Sequence, residues 1–413
     1  MAKSPVGISE LSIPASAVPS QHFSQPASKI PVGFAIAAII LVAIALRPGI
    51  VSMGPLLPVI IDEFQLSHSA ASLLTTIPDL LMGLLALPTP WLAHRYGRDP
   101  VLLLALLLLC VAIAARAFAN SVDVLLLTTA GVGAGIAIAG ALIAGYIKGN
   151  FPHKAAMVMG IYATALSFGS TLSAAVSGPI AMHHDSGWRL GAGVWSIFAA
   201  IGLVTWLLIA RLERGHAQPQ SRPARLPWGN RTAWLVALFF AADNFLFYAV
   251  LSWTAPMYIE YGLDTSTAGF ILATFTTVFM IANPILGAIS KSIDRRGLLA
   301  ACAALAVVGL VLIAMAPTWS PFVSIAICAF GLGGAFTLGM TLPLDNTHSV
   351  DEANAWNAFV LTVGYLIAAA GPLSVGFLRD FMHDFHLASW LLVLVAVAML
   401  LVTPLLKPHH LAH

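Results

Sequence analysis

Charged residues are scarce in this chain. Asp, Glu, Lys and Arg make up 9% of its 413 residues, whereas hydrophobic residues make up 59% and the mean hydropathy is +0.91. Water-soluble domains carry about 25% charged residues, so this composition excludes a soluble fold. The net charge of +2 is spread thinly and forms no basic patch, which excludes a nucleic-acid partner.

Cysteine is almost absent. Cys110, Cys302 and Cys328 each stand within an apolar run, which leaves no disulfide framework and no Cys-X-X-Cys metal site. The histidine pairs at 183–184 and 409–410 have no further ligands beside them, so we expect no metal. No nucleophile stands with a base at mid-membrane depth, so we expect neither enzymatic activity nor a cofactor.

The apolar residues form twelve runs of bilayer length. Six runs fall at residues 33–210 and six at 232–406, and the polar stretch 211–231 between them predicts a cytoplasmic linker. Residues 1–32, rich in Ser, Pro and Ala, predict a disordered cytoplasmic tail, and residues 407–413 a second tail. The sequence therefore predicts an all-α membrane protein with twelve transmembrane helices in two six-helix, pseudo-symmetric bundles.

The positive charges predict the orientation in the membrane. Of the 19 Lys and Arg residues, 15 lie on the side of the termini, three (Arg116, Arg189 and Arg379) lie on the opposite side and Arg47 lies within the membrane. By the positive-inside rule, both termini are expected in the cytoplasm.

Landmark residues recur in the two halves about 200 positions apart. A constant offset indicates a duplicated six-helix unit, in which the binding site lies between the halves near the membrane midplane. The landmarks are Pro58 and Pro256 (198 apart), Pro88 and Pro284 (196 apart), and the glycine clusters at 131–135 and 331–334.

Arg47 is a charge near the middle of the first apolar run, directly before Pro48. An arginine at this depth costs roughly 2.5–3.5 kcal/mol on insertion scales, so it needs a polar surrounding and a partner. When the offset between the halves, about 197 positions here, is added to the position of Arg47, it gives Asn244, which is next to Asp243. We therefore expect Arg47 and Asp243 to face each other, as an ion pair worth roughly 4 kcal/mol at about 4 Å. The pair either binds substrate or only locks the halves together.

Asp79 and three tyrosines complete the candidate site. Asp79 follows Pro78, which predicts a position nearer the outer gate than the site, and it either carries a proton or is a satisfied structural carboxylate. Aromatic residues within a span more often pack than bind ligand. Tyr248 and Tyr365 are favoured as substrate ligands because they lie near the middle of their helices, in segments that carry the family resemblance described below, and Tyr162 is a further candidate.

The loop between the second and third runs reads PWLAHRYGR over residues 90–98, and its counterpart reads GAISKSIDRRG over residues 287–297. Both resemble the G-x-L-A-D-R-x-G-R motif of the major facilitator superfamily, with Pro90 in place of the first glycine and His94 in place of the aspartate. The resemblance implies the major facilitator fold and a gating role for His94, Arg95, Arg98, Asp294 and Arg295.

Several short segments resemble more closely the cyanate and nitroimidazole permease branch of that superfamily. The resemblance implies a monomeric transporter of the bacterial cytoplasmic membrane that moves a small anion by alternating access, with cyanate as the type substrate. The alternative is an exporter of nitroimidazole-like or other neutral or cationic compounds, recognised by Asp243 and the aromatic residues. The segments are Leu46–Pro48, Gly54–Pro58, Leu73–Pro78, Ile147–Pro152, Phe247–Tyr248 with Trp253, Gly331–Phe336 and Gly364–Pro372.

Asp243 departs from the neutral amide that this branch carries at the centre of the seventh helix. An arriving anion would draw Arg47 away from Asp243, and the buried carboxylate would then take a proton. Anion and proton would cross together. We therefore expect proton symport, with Asp243 and Asp79 as the candidate proton carriers.

Overall fold

The computed structural model describes residues 31–151, 154–183, 187–212, 225–290, 294–347 and 350–407. Nearly all of the predicted N-terminal tail, most of the predicted linker and the end of the chain lie outside these residues, so the predicted domain boundaries stay predictions. Twelve helical spans of the described residues are long and apolar enough to cross a membrane, which confirms the predicted fold class. Spans 1 to 12 are Val32–Phe64, His68–Ala86, Arg98–Arg116, Val122–Asn150, Ala155–His183, Gly187–Leu212, Arg231–Glu260, Thr265–Ile289, Arg296–Met315, Pro321–Gly339, Val350–Met382 and His386–Leu405.

Some spans consist of more than one helix. Span 1 divides into Val32–Leu46, Pro48–Val51 and Met53–Phe64, and span 11 divides into Val350–Ala368 and Ala370–Met382. Span 6 divides into Gly187–Gly193 and Ser196–Leu212, and span 12 ends in a 3-10 turn after the helix His386–Val402. Two short helices, Thr89–Tyr96 and Leu342–Asp345, lie in loops at the end of the molecule that carries the termini.

The first break in span 1 follows from Pro48. Proline has no N–H, so the carbonyl of Ile44 loses its helical donor. Gly169 of span 5 packs directly against that carbonyl, and a side chain there would collide with it. In the second half, Gly371 of span 11 packs against the carbonyl of Phe245 in span 7 in the same way. Backbone contact at a glycine is how helices approach closely in a membrane.

The glycine clusters of spans 4 and 10 make equivalent contacts as well. A Cβ atom on Gly133 would lie 2.6 Å from Cα of Pro78 in span 2. A Cβ atom on Gly333 would lie 2.6 Å from the carbonyl oxygen of Phe279 in span 8. The two glycines are 200 positions apart (333 minus 133), and the residues they contact are 201 positions apart (279 minus 78). The duplication is therefore present in the packing as well as in the sequence.

The first six spans and the last six meet at the end of the molecule opposite the termini. A Cβ atom on Gly54 would lie 3.2 Å from the carbonyl oxygen of Leu251, and one on Gly269 would lie 2.9 Å from that of Ala174. Nearer the middle, the hydroxyls of Thr171 and Thr276 are hydrogen bonded at 2.9 Å. At the terminus end, by contrast, the ion pairs Arg98–Asp99 and Arg295–Asp345 each stay within one bundle.

Candidate substrate site

Arg47 lies at the break in span 1, between the helix that ends at Leu46 and the helix that begins at Pro48. Its Nη1 donates a hydrogen bond of 3.1 Å to the hydroxyl of Tyr248 in span 7. This bond joins the two halves of the molecule. A guanidinium has five N–H donors, so Arg47 keeps further donors for a ligand after this bond is made.

Three tyrosines surround the guanidinium. The hydroxyls of Tyr162, Tyr248 and Tyr365 all interact electrostatically with Arg47. The rings of Tyr248 and Tyr365 lie 6.2 Å apart at 63°, and the hydroxyl of Tyr162 lies 3.6 Å from the place of a Cβ on Gly140. Spans 1, 5, 7 and 11 therefore bring one cation and three phenol groups together, all of them site residues expected from the sequence.

Asp79 of span 2 belongs to the same cluster. The field of the Arg47 guanidinium reaches its carboxyl group, which in turn interacts with Tyr248 and Tyr365. Asp79 is fully buried, and neither carboxyl oxygen accepts a hydrogen bond from the residues that the structure describes. The expectation that Asp79 lies nearer the outer gate than the site is therefore wrong.

Asp243 does not pair with Arg47, contrary to the sequence-based expectation. It is fully buried, and neither of its oxygens has a hydrogen-bond partner within the described part of the chain. The groups with which it interacts are the thiols of Cys302 and Cys328, on spans 9 and 10 of its own bundle. Its neighbour Asn244 donates to the carbonyl of Phe240 at 2.9 Å, within span 7.

The reason is a shift of register in span 1. The equivalent contacts at Ile44 and Phe245 are 201 positions apart (245 minus 44), which makes Tyr248 rather than Asn244 the counterpart of Arg47. Span 7 is one continuous helix, whereas span 1 breaks after Arg47. The offset is therefore 201 before the break and falls to 198 at Pro58. Asp243 lies five residues before Tyr248, about 140° around the helix, because each residue turns the helix by about 100°.

Arg116 was counted from the sequence as a residue at the outer loop, but it is fully buried at the end of span 3. Its Nη1 donates to the carbonyl of Gly49, in the short helix that follows Arg47, and its Nη2 donates to the hydroxyl of Thr129 at 3.0 Å. Arg116 thus supports the broken part of span 1 from within the first bundle. The sequence feature that could have indicated a buried position for Arg116 is its place at the end of an otherwise apolar run.

Two buried hydroxyls near the site were not among the residues predicted from the sequence. Thr76 and Thr362 are buried, and their hydroxyls have no partner among the described residues. Each precedes a site residue by three positions, Asp79 in span 2 and Tyr365 in span 11, which puts it on the same face of the helix. A buried hydroxyl without a partner is uncommon in a folded protein.

The first predicted gating loop lies at the terminus end. His94 and Arg95 are exposed at the end of the short helix Thr89–Tyr96, and the Arg95 guanidinium lies 5.5 Å from the ring centres of Trp91 and Tyr96. Arg98 begins span 3 and forms an ion pair of 2.8 Å with Asp99. The Arg98 guanidinium also lies 4.6 Å from the ring centre of Tyr146 in span 4. A gating role for this loop stays a prediction.

The second predicted gating loop lies directly before span 9. Arg295 forms an ion pair of 2.7 Å with Asp345, which belongs to the short helix after span 10. Asp294 pairs with Arg296 at 2.7 Å, and the hydrogen bonds from that guanidinium lower the pKa of Asp294 to about 2. The gating role of this loop stays a prediction too.

Comparison with known proteins decides the family. The model of the Major Facilitator Superfamily matches residues 34–372. The chain belongs to this superfamily. It is therefore a multi-pass membrane transporter of small molecules, and the resemblance found in the sequence is confirmed.

Two relatives from Escherichia coli (strain K12) represent the branch. The cyanate transport protein CynX is 31% identical over 371 residues, which cover 88% of this chain and 95% of the relative. The 2-nitroimidazole transporter is 30% identical over 377 residues, which cover 88% and 92%. A solved bacterial homolog of the human lysosomal transporter Spinster, in an inward-facing and occupied conformation, superposes with a TM-score of 0.77. It covers 91% of this chain and 96% of its own at 18% identity, and it shows the fold alone.

Proposed function

We propose that this transporter takes up a small monovalent anion of the cyanate type across the bacterial cytoplasmic membrane, together with a proton. The observation that carries the proposal is the position of Arg47, a guanidinium at the junction of the two halves with phenol hydroxyls around it. The similarity to a cyanate transport protein supports the same substrate class.

Arg47 is the principal anion ligand in this proposal. Its planar guanidinium offers two parallel donors to a planar or linear anion, which the point charge of a lysine does not reproduce. The hydroxyls of Tyr162 and Tyr365, close enough to interact with Arg47, supply neutral donors on the other sides of the anion. Arg47 is hydrogen bonded to Tyr248 of the other half. An anion bound to Arg47 therefore acts directly on the contact between the two halves, which move relative to each other during transport.

Asp79 is the proton carrier. In the empty carrier the field of Arg47 reaches the Asp79 carboxyl group and opposes the burial that favours its protonated form. An anion bound to the guanidinium cancels that field, and the buried carboxylate then favours its protonated form. Anion and proton enter together and no net charge crosses. Asp243, which interacts with two thiols instead of Arg47, has no part in this step.

The carrier works as a monomer with both termini in the cytoplasm, and the bundles 33–210 and 232–406 rock about the site. This motion follows from the duplicated repeat. With that orientation, the close contacts between the bundles at Gly54 and Gly269 lie on the outer side, as in an inward-facing carrier.

One observation favours a second candidate, export of a nitroimidazole-like compound. Phe240 lies 6.2 Å from Tyr365 and 5.7 Å from Phe336, so aromatic rings line one side of the site. A planar ring stacks on such a wall, and the two oxygens of a nitro group accept from a guanidinium. The similarity to the 2-nitroimidazole transporter supports this alternative.

The test is transport by the purified protein in proteoliposomes, with cyanate, nitrite, nitrate, 2-nitroimidazole and choline as separate substrates. We expect uptake of the anions, and a loss of roughly tenfold or more in Arg47→Lys, because bonds to a charged donor are worth about 1.5–3 kcal/mol each. Arg379→Lys is the control, since Arg379 pairs with Glu260 on the surface at 2.9 Å. Normal anion transport by Arg47→Lys would refute the proposed clamp, and transport of 2-nitroimidazole alone would favour the second candidate.

A further inference from the structure

The start of span 2 is capped in an unusual way. The first four N–H groups of a helix have no partner within the helix and need acceptors from elsewhere. The hydroxyl of the N-cap residue Ser67 accepts from the N–H of Ala70 at 3.1 Å, and the Ser67 carbonyl accepts the first regular helical bond, from the N–H of Ala71 at 2.9 Å. The N–H groups of His68 and Ser69 remain.

The carboxylate of Asp380 in span 11 accepts hydrogen bonds from both of these N–H groups. Its Oδ1 accepts from the N–H of His68 at 2.7 Å, and its Oδ2 accepts from the N–H of Ser69 at 2.7 Å. The side chains of the same two residues bind it as well, the hydroxyl of Ser69 at 2.6 Å and Nδ1 of His68 at 2.9 Å. A carboxylate at the positive end of a helix is also favoured by the helix dipole.

The two partners belong to different halves of the carrier. Span 2 is in the first half and span 11 in the second, and the contact lies at the end of the molecule opposite the termini. Span 2, the second transmembrane helix (helix 2), is therefore fully capped only while the halves are together at this end. Separation of the halves breaks four hydrogen bonds to one carboxylate at once.

Spans 2 and 11 pack closely against each other beside Asp380. A Cβ atom on Gly376, one turn before Asp380, would lie 2.6 Å from the carbonyl oxygen of His68 and 2.9 Å from the Trp253 ring. The His68 ring packs against the rings of Trp253 and Phe385, with centres 5.7 and 6.3 Å apart. These rings cover part of the hydrogen-bonded group, in which the side chains of His68 and Asp380 stay 22% and 26% exposed.

We propose that Asp380 is a latch that holds this end of the carrier closed, by capping span 2 across the junction of the two halves. Its role is to set the ratio of the two end states of the transport cycle. Bonds to a carboxylate are the strong class of hydrogen bonds, so loss of the carboxylate shifts the closed-to-open ratio by roughly tenfold or more.

The chain offers a matched control. Glu260 is a carboxylate at the same end of the molecule, and it accepts from Arg379, the residue next to Asp380, at 2.9 Å. This ion pair joins spans 7 and 11 within one half and does not cross the junction. Glu260→Gln therefore removes a comparable charge without touching the latch.

The experiment uses the full chain in lipid nanodiscs. Hydrogen–deuterium exchange measures the amides of residues 66–72, and spin labels on cysteines at Asp62 and Leu387 measure the distance between the halves at this end. In Asp380→Asn we expect the amides of His68 and Ser69 to exchange roughly tenfold faster, and a longer distance to become populated, with little change in the melting temperature. Glu260→Gln should behave as the wild type in both measurements.

Gly376→Ala provides a second variant that keeps the carboxylate. Its added methyl group pushes span 11 away from span 2, so the same two changes are expected, and they test the latch even if Asp380→Asn is poorly expressed. Unchanged exchange and distance in the variants would overturn the proposal. Equal changes in Glu260→Gln would overturn it too, since they would reflect the loss of any carboxylate at this end.

Discussion

Replacement of Asp79 by asparagine should separate anion transport from the pH gradient. Asparagine imitates the protonated carboxyl group in shape and lacks the ability to exchange a proton. Asp79 is fully buried, and the field of Arg47 reaches it. We expect the variant to bind and exchange the anion while losing proton-driven accumulation.

The magnitude follows from the charges at the site. In the proposed mechanism one carboxyl group takes up one proton for each anion that Arg47 binds, which makes the cotransport electroneutral. A pH difference of one unit is worth about 1.4 kcal/mol for one proton, which supports roughly tenfold accumulation of the anion at equilibrium. In Asp79→Asn the same gradient should leave the concentration ratio near unity.

The assay is uptake of labelled anion into proteoliposomes, with and without an imposed pH gradient. Asp243→Asn is the matched control, because Asp243 is an equally buried carboxylate that interacts with Cys302 and Cys328 rather than with Arg47. The control should accumulate the anion as the wild type does.

Three outcomes would contradict this reasoning. Gradient-driven accumulation that persists in Asp79→Asn would return Asp79 to a structural role. Loss of accumulation in Asp243→Asn alone would restore the coupling first expected from the sequence. Wild-type uptake that ignores the gradient would describe a facilitator without proton coupling.

Two further predictions concern the break in span 1. Gly169→Ala places a methyl group against a carbonyl of span 1 and should destabilise the protein by about 1–3 kcal/mol, whereas Gly160→Ala, in open space on the same helix, should be neutral or slightly stabilising. Equal melting temperatures of the two variants would contradict the close contact. Arg116→Lys loses donors to Gly49 and Thr129 and should cost about 2–3 kcal/mol, against about 1 kcal/mol or less for Arg95→Lys, whose side chain is exposed over two aromatic rings. Thermal unfolding in detergent measures both, and an Arg116→Lys variant as stable as Arg95→Lys would show that the buried bonds contribute little.

The fold was predictable because its signal is local. A span of bilayer length is recognised from about 20 successive apolar residues, whatever the rest of the chain does. Arg47 was recognisable for a similar reason, since a charge within an apolar run needs a polar surrounding wherever the run packs. Tyr248 and Tyr365 were predicted from the family resemblance of their segments and from their depth in the membrane, which a position along a helix already fixes.

The partners of these residues depended on tertiary structure. Depth changes by only 1.5 Å per residue, whereas facing direction changes by about 100°, so an offset that is wrong by three or four positions keeps the depth nearly right and selects the wrong residue. The break after Arg47 shifts the repeat from 201 to 198 positions, and this shift replaced Tyr248 by Asp243 in the sequence-based prediction.

Arg116 and Asp380 show the same limit. Both stand at the end of an apolar run, where a charge is as compatible with the membrane surface as with the interior. Arg116 is buried because the broken helix beside it presents a free carbonyl, and Asp380 is bound because helix 2 of the other half begins beside it. The sequence alone determined which segments cross the membrane and how deep each side chain lies; only the packed helices decided which backbone groups were left for these charges, because those groups come from segments distant in the chain.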